Sequence, residues 1–350
     1  MLRSIVCTAL LVLTACSVEL SDATPAITPL APTATPASST ALTGRLLYTL
    51  TQQGVWQLDL ATGNSTQLFK TQSQDSWAAS VAASPDGGTV IIAYAPPPGE
   101  GEIQFGYTDL YRLPTGGATP QPYLERPDPR ESLFTPTWSA DGRYLYYSRL
   151  RRIVAAGSQP GQFDIRYDIE RVAYPAGQPE TVVINAFWPR LSEDGERMVY
   201  VSVDPATFAN GLWVAEADGG NALQLLTPEQ FIAVDSPLFS PDGQHVLFSA
   251  VSAGGASTPP ARALFDWLTG ARVAEAHNVP SDWWRIPVGG GQAEKLTSIF
   301  DVGLYGDFSP DGQHMAFISA GGIAVMRPDG SDLRTILPLT NASGSLEWLP

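Results

Sequence analysis

The chain has 350 residues, with 20 lysines and arginines against 35 aspartates and glutamates, a net charge of −15. A phosphate backbone demands a basic footprint, so this balance argues against nucleic acid as a partner. The length admits two average domains or one closed all-β ring, and 32 glycines and 30 prolines among plentiful aromatics suit many tight turns rather than disorder.

At the start of the chain, Arg3 precedes an apolar run from Ile5 to Leu13. The run is too short to span a bilayer and reads as a secretory signal. Leu13-Thr14-Ala15-Cys16 closes it and resembles the bacterial lipobox, which implies removal of residues 1–15 and a diacylglycerol on the Cys16 thiol. The alternative is an ordinary signal with an incidental cysteine. Cys7 is the other cysteine, so a processed chain keeps no thiol for a disulfide or a metal. Residues 16–43 then turn to Ala, Thr, Pro and Ser, with Pro25, Pro29, Pro32 and Pro36 regularly spaced. Such a segment cannot bury a core and stays extended, which suits a tether between membrane and folded domain. The expected address is therefore the extracytoplasmic side of an envelope membrane.

From Gly44 a repeat takes over. Arg45–Leu50, Gly54–Asp59 and Gln67–Phe69 read as three successive strands, and the same trio follows each of five Asp-Gly turns. The turns are Ser84-Pro85-Asp86-Gly87, Ser139-Ala140-Asp141-Gly142, Ser192-Glu193-Asp194-Gly195, Ser240-Pro241-Asp242-Gly243 and Ser309-Pro310-Asp311-Gly312. Pro presets φ, Asp caps the turn with its carboxylate, and Gly takes the left-handed position that closes a hairpin. Capping accounts for Asp86, Asp141, Asp194, Asp242 and Asp311 better than a catalytic or calcium-binding constellation. Self-similarity at this period signals an array of four-stranded units. The first trio lacks its turn-bearing strand, and Ser345–Leu349 at the other end supplies it, aligned with Thr135–Ser139 and Ser236–Ser240. The expectation is an all-β, six-bladed β-propeller over 44–350, its ring closed by the C-terminal strand completing the first blade. Trp138, Leu191, Phe239, Phe308 and Trp348 share one register and should pack between blades.

These repeats, an aromatic before Ser-Pro-Asp-Gly and then an aliphatic-aromatic strand, resemble the TolB-type (WD40-like, PD40) propeller repeat over essentially the whole of 44–350. The resemblance implies the fold; function lives in sites grafted on it. TolB itself has a separate α/β domain ahead of its propeller, where this chain has the lipobox and tether, so its lipoprotein-binding role does not carry over residue by residue. The same propeller precedes the hydrolase domain in prolyl-oligopeptidase-type peptidases, and no Gly-X-Ser-X-Gly elbow occurs here.

Few residues offer chemistry. His245 and His314 occupy the same repeat position after Asp-Gly turns and read as surface residues, while His277 has no cysteine or second histidine nearby for zinc. No metal or cofactor is expected. Propeller loops joining strands b–c and d–a leave one face, and those joining a–b and c–d leave the other. The a–b and c–d turns are uniformly short, whereas Ala95–Thr108, Arg149–Tyr167 and Val251–Ser281 are long b–c connections. The decorated face is accordingly the expected binding surface. Its candidates are Trp77, Phe134, Trp188 and Tyr305 at the channel mouth, and Arg151 and Arg152 in the blade-three insertion. Trp267 lies on a short amphipathic helix expected in the largest loop. The aromatics suit a sugar or peptide platform or, alternatively, interblade packing. The arginines suit an anionic ligand or, alternatively, pairing with the acidic surface. Arg190, Asp307 and Glu347 align two residues before their turns and are expected to pair across the channel. The function expected is non-enzymatic binding of a protein or envelope polymer. The alternative is a lyase- or glycosidase-type enzyme using channel acids such as Asp235 and Asp307.

Overall fold

The computed structural model describes residues 41–98, 107–114, 116–117, 119–153, 164–205, 207–252 and 280–350. Cys16, Trp267 and most of the largest b–c loop lie outside the described residues.

Alternating apolar runs between Gly- and Pro-rich turns give short antiparallel strands, and these assemble into six four-stranded sheets. Blade 1 joins β24 (Leu346–Leu349) to β1 (Arg45–Leu50), β2 (Gly54–Asp59) and β3 (Ser65–Lys70). Blade 2 is β4 (Trp77–Ala83), β5 (Val90–Ala95), β6 (Asp109–Leu113) and β7 (Gln121–Leu124). Blade 3 is β8 (Ser132–Trp138), β9 (Tyr144–Ile153), β10 (Asp164–Ala173) and β11 (Glu180–Ile184). Blade 4 is β12 (Ala186–Leu191), β13 (Arg197–Val203), β14 (Asn210–Glu216) and β15 (Leu223–Leu226). Blade 5 is β16 (Phe231–Phe239), β17 (His245–Ser252), β18 (Asp282–Pro287) and β19 (Glu294–Lys295). Blade 6 is β20 (Tyr305–Phe308), β21 (Met315–Ser319), β22 (Gly322–Met326) and β23 (Arg334–Pro338).

Each Asp-Gly turn is a small closed circuit. In the blade 5 turn the Ser240 hydroxyl donates to Asp242 Oδ1 at 2.5 Å and accepts the His245 backbone N–H at 2.9 Å. The Gln244 N–H donates to the same Asp242 oxygen at 2.9 Å. The blade 2 turn repeats this through Ser84, Asp86, Gly88 and Thr89. These donors hold all five turn aspartates below the ordinary carboxylate range, Asp141 at about 2. The carboxylates are thus consumed by their own turns. On the c–d side, Gly330 adopts a φ of +83° where a Cβ would stand 2.5 Å from the Leu296 carbonyl of the neighbouring blade. Gly117 makes the same close approach to Leu68, so these turns dock on the outer strand of the blade before.

The core lies between sheets. Trp138, Phe239 and Trp348 are buried in the seams, while Leu191 and Phe308 are half-buried against neighbouring clusters. Trp138 Nε1 donates 3.3 Å to the Ala82 carbonyl of the adjacent blade. One expectation needs correction: His314 is buried rather than a surface residue. Its ring stacks on Trp348 of the next blade at 6.4 Å between centroids, because the blade 6 turn delivers it into the closing seam.

The ring closes as the repeat count requires. Arg45, Leu46, Leu47 and Tyr48 pair antiparallel with Leu349, Trp348, Glu347 and Leu346. Deleting Leu346–Pro350 removes two buried side chains, each contributing about 1.5–3 kcal/mol, and bares the edge of β1. The expected outcome is loss of a cooperative thermal transition by circular dichroism. An unchanged melting curve would contradict closure by this strand.

Candidate functional site

The a strands (β4, β8, β12, β16, β20 and β24) line the channel. Each runs from a d–a loop on the decorated face toward its Asp-Gly turn on the other, which sorts their residues into layers. Four residues before the turn serine, or its equivalent in β24, stand Ser80, Thr135, Trp188, Ser236, Tyr305 and Ser345. Two residues before it stand Ala82, Thr137, Arg190, Leu238, Asp307 and Glu347.

The first layer forms a pocket at the mouth with a volume of about 60 Å³. Trp77, Phe134, Trp188 and Tyr305 all line it, from blades 2, 3, 4 and 6. Two of them owe their direction to β-bulges. The ladders slip between Phe134 and Thr137 and between Phe187 and Arg190, and Thr135 and Trp188 take left-handed φ values of 46° and 62°. A bulge re-aims the side chains beside it, and for a residue as bulky as Trp a positive φ needs surrounding support. Here the Ser148 hydroxyl of blade 3 accepts the Trp188 N–H at 2.9 Å, and Ser80 of blade 2 accepts that of Thr135 at 3.1 Å. The wall hydroxyls are likewise engaged: Thr51 donates to the Ser343 carbonyl at 2.7 Å and Thr108 to the Leu133 carbonyl at 2.6 Å. Lining and interblade packing are therefore not alternatives. Trp188 and Tyr305 belong to the buried core while facing the cavity. Two aromatics that the sequence reading passed over extend the arc. Tyr167 lies 6.3 Å from Phe134 and 5.3 Å from Phe187, whose ring stacks on Trp188 at 5.4 Å.

The second layer carries charge. Arg190 reaches from blade 4 to Asp307 of blade 6 at 2.6 Å, and lies 4.0 Å from Glu347 of blade 1. Both carboxylates are also stitched to the next blade: Asp307 accepts the Trp348 N–H at 2.9 Å, and Glu347 accepts the Ala83 N–H at 2.6 Å. Two acids share one guanidinium, which favours Asp307 by distance. Burial, reinforced by Asp307, pushes the Glu347 carboxyl up to about 8. Burial raises Asp307 as well, against Arg190.

The arginines of blade 3 sit differently from expectation. Residues 149–153 do not form a loop; they pair with Asp164–Asp168 and lengthen β9 and β10 to ten residues each. Alternating side chains of that hairpin thus meet as ion pairs. Arg149 contacts Glu131 at 2.6 Å and Glu170 at 3.0 Å, while Arg151 contacts Glu170 and lies 3.4 Å from Asp168. Arg166 adds 2.9 Å to the same buried Asp168. Arg152 lies over the Tyr107 ring at 5.4 Å. Arg151 is thereby engaged with the chain's own acids, the second of the two expectations for it. Asp235 and Asp307, the acids of the enzymatic alternative, do not line the cavity. Burial lifts Asp235 to about 7, and Asp307 is committed to Arg190 and Trp348.

Phe300 was also missed. It is 57% exposed and left-handed at φ 49°, on the d–a loop three residues before Gly303 of the pocket wall. Buried Asp282 holds it there, accepting the N–H groups of Ile299 and Phe300 at 2.7 and 3.1 Å and pairing with Lys295 at 2.8 Å. No local pattern signals this, because Asp282 is 17 and 18 residues away from the two N–H groups it accepts.

No protein-family profile matches the chain. A TolB homolog of Chlorobium chlorochromatii (strain CaD3) is 30% identical over 159 residues, which are 39% of this chain and 34% of that protein. The match thus spans about a third of that relative's length. Among solved structures, a TolB-designated protein of Agrobacterium tumefaciens has a TM-score of 0.58 at 18% identity, covering 88% of this chain and 99% of that one. TolB of Acinetobacter baumannii gives 0.57 at 15% identity, covering 88% and 67%. A chain of a nidogen/laminin complex gives 0.56 at 11% identity, covering 87% and 97%. With the sheet topology, these likenesses show a TolB-like six-bladed propeller.

The triad has a pH signature. Glu347 binds its proton more tightly folded than unfolded, so the folded state loses stability as pH rises from about 4.5 toward 8. Glu347→Gln removes that penalty and keeps an acceptor for the Ala83 N–H. The variant should match the wild type near pH 5 and exceed it at pH 9 by on the order of 1–3 kcal/mol in urea unfolding. Equal stability at pH 9 would mean that Glu347 ionises normally in the fold.

Proposed function

We propose that this chain is an exported, lipid-anchored propeller that works without catalysis, binding a protein or envelope polymer through the face that carries the long b–c loops. The observation that carries this reading is the convergence of Trp77, Phe134, Trp188 and Tyr305, from four blades, on one cavity of that face. Cavities lined by aromatics and rimmed by hydroxyls are binding sites by default. The opposite face offers turns whose carboxylates are already hydrogen-bonded within themselves.

The relatives support a binding role in general terms. The TolB-designated structures share the fold, and the nidogen/laminin chain comes from a protein complex. The leader, the lipobox-like Leu13–Cys16 and the Pro/Thr-rich tether support export and anchoring through a lipid on Cys16. The net charge of −15 supports a partner other than nucleic acid.

Two experiments test the reading. Cys16→Ser should move the chain from the membrane fraction to the soluble extract and abolish incorporation of a labelled fatty acid; retention on the membrane would refute the anchor. Immobilised full-length chain should capture a component of envelope extract or peptidoglycan. Replacing the 251–281 connection with a short Gly-Ser link should lower that capture at least several-fold. Undiminished capture would shift the contact away from this face.

A further inference from the structure

The pocket at the channel mouth has a composition that selects among ligands. None of its thirteen lining residues is an Asp, Glu, Asn, Gln, His, Lys or Arg. Sugar rings are held by side-chain carboxylates and amides that bridge neighbouring hydroxyls, and phosphates above all by cations; this wall has no carboxylate, amide or cationic side chain. Several of its hydroxyls are engaged with the protein: Thr51 and Thr108 donate to carbonyls, and Ser80 and Ser345 accept the N–H groups of Thr135 and Val81. The wall is predominantly apolar, aromatic ring and Cβ surface with a few hydroxyls among them. About 60 Å³ is space for a few waters, hence for the tip of one side chain rather than a polymer threading the channel. Beneath the pocket lie Arg190, Asp307 and Glu347, a layer that begins where the Arg190 guanidinium donates to the Tyr305 hydroxyl at 3.4 Å.

The surroundings carry the opposite character. The described loops of the same face bear Asp75, Glu125, Asp204, Glu229 and Asp301, while their two arginines, Arg126 and Arg130, pair with Asp109 and Asp128 at 2.7 Å. The whole chain is at −15. A neutral apolar socket within an acidic face complements an apolar side chain flanked by basic residues.

Resting on the binding reading above, we infer that the pocket formed by Trp77, Phe134, Trp188 and Tyr305 receives one aromatic or branched aliphatic side chain of a partner protein, presented on a lysine- or arginine-rich segment. The apolar anchor supplies affinity and the acidic rim supplies steering, so the two contributions separate by salt. Ala79 lies in the pocket wall and offers a way to fill it without removing any core aromatic.

The test uses the full-length chain and the peptide acetyl-Lys-Lys-Phe-Lys-Lys-amide, followed by calorimetry or by chemical-shift changes. Binding should weaken at least roughly tenfold when the peptide's phenylalanine is replaced by alanine. It should also weaken when its lysines are replaced by glutamates, and on adding salt. Ala79→Trp should abolish it, with the fold of the variant verified by its circular-dichroism spectrum and thermal transition. Equal binding of the phenylalanine and alanine peptides, or binding undiminished in Ala79→Trp, overturns the inference. So does a chitin oligomer that binds and is displaced by Ala79→Trp while the peptide does not bind. If envelope capture by the full chain persists in Ala79→Trp, the binding reading stands and the socket assignment fails. If capture and peptide binding are both absent in the wild type, both fail.

Discussion

Pairing between β24 and β1 is the contact on which the rest of this molecule depends. An antiparallel four-stranded sheet has two edges, and six in sequence would leave an open arc with bare outermost backbone groups. Hydrogen bonding between Arg45–Tyr48 and Leu346–Leu349 completes blade 1 from the two ends of the domain. The same strand brings Glu347 and Trp348 to the channel, where they meet groups from blades 2, 4 and 6. Ring closure and channel floor are therefore one structure.

That coupling explains why the interior is layered as it is. Charged side chains buried in the layer nearer the Asp-Gly turns must neutralise one another. Arg190, Asp307 and Glu347 do so imperfectly, with one cation for two acids, and burial shifts the imbalance into protonation of Glu347. Toward the decorated face, the bulges in β8 and β12 open the strands and swing aromatic rings over the mouth. An aromatic layer therefore lies above a charged one, and the cavity between them and the mouth is a small socket.

Much of the acidic surplus is also internally organised. The blade 3 hairpin matches Glu131, Asp168 and Glu170 with Arg149, Arg151 and Arg166. The turn aspartates are bound by their own hydroxyls and N–H groups.

How much of this was legible beforehand follows from the range of the interactions. The Ser-x-Asp-Gly turns, the strand trios and the missing strand of the first unit are local and repeated, so the sequence alone determined the propeller, its six blades and its closure. Layer membership was also readable, because the repeat register puts Arg190, Asp307 and Glu347 alike two residues before their turns. The burial of His314, the extended hairpin around Arg151, the arc through Tyr167 and Phe187, and the posture of Phe300 were not readable. Each depends on a contact between blades or on a bulge, where one extra residue re-aims a side chain without changing the hydrophobic pattern. Tertiary structure alone decided that four aromatics from separate blades share one cavity, since only the curvature of the closed ring sets the distance between them.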